Sequence, residues 1–259
     1  MIETIDIINT VHQIMVQNMK NGMVYIMTVE EYLTEFFKVY SLVSVLSDKN
    51  DCKVLKLKNK QQDKYIVLRQ FLKPLSAYEE LYSIKCENLP LIYDVINLDD
   101  GQIVLEEFID GLTIAEVMET GKYRYMGTRR VLRSVCHALT VLHNRGIVHR
   151  DVKPENVVIG KDGRVVLIDF NAARKISSAN KDTTIMGTVG YASPEQLGVA
   201  QSDARTDIYA VGVLLNVMVT GKHPSEKLAK RKAGRIVRKC TNVNPNERYQ
   251  SAEKLVSAL

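Results

Sequence analysis

The spacing of hydrophobic positions changes twice along the chain. Ile5, Ile8, Val11, Ile14, Met15 and Met19 recur every three or four residues, which predicts an amphipathic helix over residues 1–20 ending near Asn21-Gly22. A second short helix follows, because Thr28 and Glu31 have capping-box spacing and Tyr32, Leu33, Phe36 and Phe37 then share an apolar face. Over residues 40–108 the signal becomes strand-like. Leu55 and Leu57 alternate with Lys56 and Lys58, residues 65–71 are rich in β-branched and aromatic side chains, and residues 59–63 form the turn between them. Asp99-Asp100-Gly101 predicts a hairpin joining residues 91–97 to 102–108.

Beyond Gly111 the helical period returns. It is clearest where Val131, Leu132, Val135, Cys136, Leu139 and Leu142 mark one face of a helix that stops at Gly146. One hairpin interrupts it: residues 156–159 and 164–170 flank Lys161-Asp162-Gly163, so the polar residues at its two outer ends are brought close together. With no repeat and no Pro, Gly or Ser-rich linker, the boundaries are read from these changes of period. They give a helical extension over 1–38, a small β-rich unit over 39–110 and a helical unit over 111–259, an α+β chain.

Composition narrows the class. The 259 residues are 46% hydrophobic and 25% charged, which excludes disorder and fibrous repeats and suffices for a core without metal or disulfide staples. Cys52, Cys86, Cys136 and Cys240 form no Cys-x-x-Cys pair, so a reducing, cytoplasmic setting is expected. Glu3 and Asp6 break the first apolar stretch, unlike a signal peptide. The apolar run 211–219 contains Asn216 and is far short of the ~20 residues of a membrane span. The net charge of +5 is modest, yet seven of the thirteen residues 227–239 are Lys or Arg. A solvated helix face explains them better than a docking patch, and without interleaved aromatics for base stacking no nucleic acid is expected.

The outer ends of the 156–170 hairpin carry the chemistry. His149-Arg150-Asp151-Val152-Lys153-Pro154-Glu155-Asn156 is followed, thirteen residues after Asn156, by Asp169-Phe170-Asn171. Asp151, Lys153, Asn156 and Asp169 thus supply one base, one cation and two oxygen ligands at one hairpin edge. Transfer of a terminal phosphoryl group needs this inventory: oxygens to hold Mg²⁺ against phosphates, a carboxylate to orient the attacking hydroxyl and a cation against developing charge.

At these residues the sequence resembles eukaryotic-type protein kinases, especially the bacterial serine/threonine kinases, over about residues 40–259. The resemblance rests on HRDVKPEN, on IDFN, on Gly187-Thr188-Val189-Gly190-Tyr191-Ala192-Ser193-Pro194-Glu195, on Asp207-Ile208-Tyr209-Ala210-Val211-Gly212, and on Arg248. It implies a two-lobed protein-kinase-like fold, with a small β-rich N-lobe, a larger helical C-lobe and ATP with Mg²⁺ as cofactors. By the resemblance Asp151 is the catalytic base, Lys153 contacts the transferred phosphoryl, Asn156 and Asp169 ligand Mg²⁺, and the acceptor is Ser or Thr of a protein substrate. Glu195 pairs with Arg248, and Asp207 braces the catalytic loop. Residues 169–195 form the activation segment, where Thr183 or Thr184 is a candidate for self-phosphorylation received by Arg150, and Thr188 has a structural or substrate-positioning role.

The upper part departs from the family pattern. The phosphate-covering loop, placed by Val54, reads Ser47-Asp48-Lys49-Asn50-Asp51-Cys52-Lys53-Val54 and has no glycine, which weakens nucleotide grip. Arg69 stands at the phosphate-binding lysine position, a change of shape that keeps the charge. Ala77 falls at its usual helix carboxylate partner, with Glu79 and Glu80 able to serve only if the helix shifts. Alternatively Arg69 pairs with Glu106, or Glu106 points to solvent. Glu107 to Ile109 fall at the nucleotide-binding hinge. Asn171 replaces a glycine and tolerates a left-handed backbone. Two readings stay open, a protein serine/threonine kinase of reduced activity and a pseudokinase acting as a nucleotide-binding or scaffolding module. The N-terminal helices either pack on the N-lobe or mediate dimerisation.

Overall fold

The computed structural model describes residues 15–20, 23–49, 51–120, 127–176, 188, 190–197 and 201–259, with side chains from Thr28 onward. The chain divides into two compact units, one of residues up to 84 with 91–108, the other of 85–90 with 109–259.

The first unit is built on a five-stranded antiparallel sheet of β3 (Tyr40–Lys49), β4 (Cys52–Asn59), β5 (Tyr65–Phe71), β6 (Ile92–Leu98) and β7 (Gly101–Glu107), in the order β3-β4-β5-β7-β6. Two turn signals act as expected. Asn59 Oδ1 accepts from the backbone N–H of Gln61 and Gln62 to close the β4–β5 turn, and the Leu98–Gly101 pairing leaves Asp99-Asp100 as a two-residue β6–β7 connection. Alternation sorts each strand's side chains onto two faces. Leu55, Leu68 and Leu105 lie in register on one face, and Val54, Arg69 and Val104 on the other.

Helix α1 (Val29–Val39) covers the first of these faces. It starts where the capping box places it: the Glu31 backbone N–H donates to Thr28 Oγ1 at 3.1 Å, and Glu31 Oε2 accepts from the Thr28 N–H at 2.8 Å. Val29 and Leu33 join Leu55, Leu57, Ile66, Leu68, Ile96, Leu98, Ile103 and Leu105 in one core, flanked by Tyr32, Phe36 and Phe37. Each fully buried aliphatic contributes about 1.5–3 kcal/mol. The short helix α2 (Ser76–Leu81) belongs to the opposite face, where the rings of Tyr78 and Phe71 lie 5.4 Å apart. Cover on both faces is why β7 is buried from Gly101 to Glu106, Gln102 and Glu106 included.

The helix predicted over residues 1–20 is corrected where it is described. Residues 15–20 form β1, paired antiparallel with β2 (Met23–Thr28) from Met15↔Thr28 to Lys20↔Met23. Met15 and Met19, four apart, share a face in a strand as well as in a helix, so spacing could not separate the two, and a β-rich partner segment lies two residues away. Asn21-Gly22 favours a two-residue hairpin connection and was the better signal. Residues 1–14 of the predicted helix lie outside the described residues.

The second unit contains α3 (Ile114–Glu119), α4 (Thr128–His143), α5 (Ala204–Thr220), α6 (Arg231–Cys240) and α7 (Ala252–Ala258). It also holds a three-stranded sheet of β8 (Gly111–Thr113), β10 (Val157–Gly160) and β11 (Val165–Leu167), and a pair formed by β9 (Ile147–Val148) and β12 (Arg174–Lys175). The α4 residues singled out by period are all buried. Helix α5 is buried almost all round, so it shows no clear polar face; Asp203 caps its start and Gly221, at φ +70°, ends it. Gly212 allows α6 to approach, since a Cβ there would lie 2.3 Å from that of Cys240. Helix α6 turns Ala233, Gly234, Ile236, Val237 and Cys240 inward, and all seven cations of 227–239, five of them on α6, are exposed. Among the described residues no helix is long and apolar enough to cross a membrane.

Candidate functional site

In the second unit the site grows from the end of α4. Gly146, at φ +71°, turns the chain into β9, and the segment beyond β9 is held by Asp207 of α5, which is wholly buried. Its Oδ2 accepts from the backbone N–H of His149 at 2.9 Å and lies 2.8 Å from His143 Nε2, while Oδ1 accepts from the Arg150 N–H at 2.8 Å. Burial pushes the Asp207 carboxyl up, but these hydrogen bonds outweigh it and hold the group below the ordinary carboxylate range. The anchors stabilise a left-handed backbone at Arg150, φ +66°, which costs a non-glycine residue on the order of 1–3 kcal/mol. Asp207 therefore braces this loop as the sequence suggested.

The loop so fixed presents Asp151. Its Oδ2 accepts from Lys153 Nζ at 2.8 Å and Asn156 Nδ2 at 3.0 Å, and its Oδ1 accepts from Thr188 Oγ1 at 2.7 Å. Lys153 Nζ also donates to Thr188 Oγ1 at 2.7 Å. Burial raises the Asp151 carboxyl less than Lys153 and Thr188 lower it, so it stays ionised below the usual range. Asn156 commits its amide nitrogen to Asp151, leaving its side-chain oxygen as the atom it has for a cation. The backbone N–H of Ile168 donates to Asn156 O at 2.9 Å, so Asp169 follows directly on the Asn156 segment. Asp169 is itself left-handed, φ +68°, whereas Asn171, the residue singled out for that conformation, is not.

Among the described residues no group of three or more His, Cys, Asp or Glu could hold a metal ion. Two protein oxygens, from Asn156 and Asp169, suit Mg²⁺ nonetheless, because that ion keeps waters and substrate phosphate oxygens as its remaining ligands.

Around the cluster, His149 is fully buried against the edge of Phe170 and burial lowers its pKa. Glu195 and Arg248 form the expected pair, bidentate at 2.6 and 2.9 Å, with Arg248 almost fully buried and also donating to the carbonyls of Asn242 and Arg205. Two residues escaped sequence reasoning. His143 adds the side-chain donor to Asp207, and Gln196 Nε2 donates to the Arg150 carbonyl at 2.8 Å while its Oε1 accepts from the Ser193 N–H. Neither has a sequence signal, since the contacts by which they brace the loop, His143 with Asp207 and Gln196 with Arg150, span 64 and 46 residues. Thr183 and Thr184 lie outside the described residues.

In the first unit Arg69 and Glu106 meet. Arg69 Nε donates to Glu106 Oε1 at 2.7 Å, and both are buried, at 5% and 3% exposure. Of the carboxylates weighed beside Glu106, Glu79 accepts from Asn97 Nδ2 at 3.0 Å, and Ala77, at the usual partner position, is buried. The expected phosphate-covering loop is mostly strand, since β3 and β4 pair from Ser47↔Val54 to Lys49↔Cys52 and leave two residues between them. Lys53 and Asp48 lie 3.7 Å apart there. Glu107 ends β7, with its backbone N–H and carboxylate both engaged by Leu91, and Ile109 is half-buried just beyond.

Comparison with known proteins gives a matching family profile, described as protein kinase domain, over residues 35–258. A probable serine/threonine-protein kinase of Clostridium perfringens is 30% identical over 229 residues, which are 78% of this chain and 33% of that protein. The serine/threonine-protein kinase PknL of Mycobacterium tuberculosis is 40% identical over 139 residues, 52% of this chain and 35% of its own length. A probable serine/threonine-protein kinase PknB of Corynebacterium glutamicum is 39% identical over 144 residues, 52% and 22%. The matched segments thus span at most about a third of these relatives.

Proposed function

The chain belongs to the protein kinase domain family, and from that premise we propose that it transfers the γ-phosphoryl group of ATP to Ser or Thr hydroxyls of a protein substrate. The observation that carries this reading is Asp151, an ionised carboxylate held at once by Lys153, Asn156 and Thr188. In that role Asp151 orients the acceptor hydroxyl and takes its proton, Lys153 offsets charge on the transferred group, and Thr188 fixes both in one geometry. Asn156 and Asp169 would hold Mg²⁺, which when bound would neutralise phosphate charge. Arg69 takes the phosphate-binding cation's part, and Glu107 and Ile109 offer backbone groups to the base. Thr183 or Thr184 is the self-phosphorylation site, and the setting is cytoplasmic.

A second reading, a nucleotide-binding pseudokinase, is favoured by Arg69 and by the glycine-free 47–54 segment. Radiolabelled ATP transfer to the chain itself and to a generic protein substrate separates the two. Label abolished by Asp151→Asn and by Asp169→Ala supports the enzyme. A Mg-ATP thermal shift without transfer supports the second reading, and neither signal removes both.

A further inference from the structure

We propose that Glu106 is the positioning residue for the Arg69 cation, so that this charge is mounted on a carboxylate carried by the neighbouring strand of the sheet. The inference deepens the nucleotide reading above and rests on it.

The sheet register makes the pairing local and rigid. Arg69 lies opposite Val104 and Glu106 opposite Val67 on neighbouring antiparallel strands, so the two are diagonal neighbours on one face, within reach of each other's long side chains. Their other cross-strand neighbours are Val54 and Ile92, and Val54, Val67, Val104 and Ile92 are all buried. In so apolar a setting either charge alone is costly, which selects for the pair. Ladder hydrogen bonds on both strands fix the backbone beneath it.

Helix α2 is poorly suited to the same task. Its six residues span about 9 Å, and Leu75 at its N-cap makes no side-chain capping bond. Ala77 carries no charge, and Glu79 is engaged by Asn97 at 3.0 Å. A helix-borne carboxylate would make the cation's placement follow the helix. A strand-borne one makes it follow the sheet.

The test compares Glu106→Gln, Glu79→Gln, Glu80→Gln and the double variant Arg69→Met with Glu106→Leu, reading KM for ATP separately from kcat and thermal stability alongside. Loss of the carboxylate's charge beside Arg69 predicts that Glu106→Gln raises KM for ATP about tenfold or more. Glu79→Gln and Glu80→Gln leave KM unchanged. The apolar double variant keeps a folded sheet, as apolar replacements of buried pairs do, yet its KM stays raised, which a merely structural pair would not produce. An unchanged KM in Glu106→Gln or in the double variant, or a raised KM in Glu79→Gln or Glu80→Gln, overturns the proposal. If the native chain transfers no phosphate but shows a Mg-ATP thermal shift that Glu106→Gln abolishes, the catalytic reading falls and this one stands. A chain that neither transfers nor shifts removes both.

Discussion

At the residue scale the consequential groups are carboxylates whose charge is stabilised by named donors. Asp151 has three side-chain donors, and removing its negative charge while keeping its shape isolates the chemistry. Asp151→Asn is expected to lower the single-turnover transfer rate by about 10²–10⁴-fold with little change in thermal midpoint. Glu195 and Arg248 act differently, since their pair is buried and touches no candidate ligand. Glu195→Ala leaves the Arg248 guanidinium uncompensated in the interior and is expected to cost about 3–5 kcal/mol in a urea titration. The motifs made these residues legible, because each lies in a short run whose order is itself the signal. The partners that give them their properties were legible only in part: Glu195 with Arg248 was foreseen, while Gln196 on the Arg150 carbonyl was not, and nothing in a lone glutamine marks it as a brace.

At the scale of elements, local rules worked where the determinants were local. The Thr28–Glu31 box placed the start of α1 because its four groups lie within one turn. Thr28→Ala is expected to cost about 1 kcal/mol, measured as a lower midpoint in chemical denaturation. The β1–β2 hairpin was misread because spacing of four fits both periods, and which one wins depends on a partner strand. Close packing is the other element-scale determinant. Gly212→Val forces a side chain into the contact between α5 and Cys240 of α6, and a loss of about 1–3 kcal/mol in thermal or chemical unfolding is expected.

At the scale of the whole molecule, the burial of charged and titratable groups sets a pH response. Asp207, Asp151 and Glu195 have carboxyl pKa values below those of an unfolded chain, so the stability they contribute is present above the unfolded value and is lost as pH falls through the folded one. His149, buried and neutral, also has its pKa lowered from 6.5, so the unfolded chain takes up its proton first and stability begins to fall below that pH. Both effects have the same sign. The unfolding midpoint is expected to decline in two stages on acidification, below about pH 6.5 and again below about pH 4, as followed by calorimetry across a pH series. His149→Gln is expected to remove the first stage.

What the amino-acid order determined alone is the family resemblance and the class of architecture. Asp151, Lys153 and Asn156 meet, Asp169 follows the Ile168–Asn156 backbone hydrogen bond, and hydrophobic period fixes strand or helix wherever only one period fits. The choice among partners was decided by the folded chain. Arg69 had three carboxylates within plausible sequence range, and strand register and burial brought Glu106 to its Nε. The reason is that a charge-pair preference depends on distance and dielectric, and both come into being only when strands far apart in sequence are hydrogen-bonded side by side.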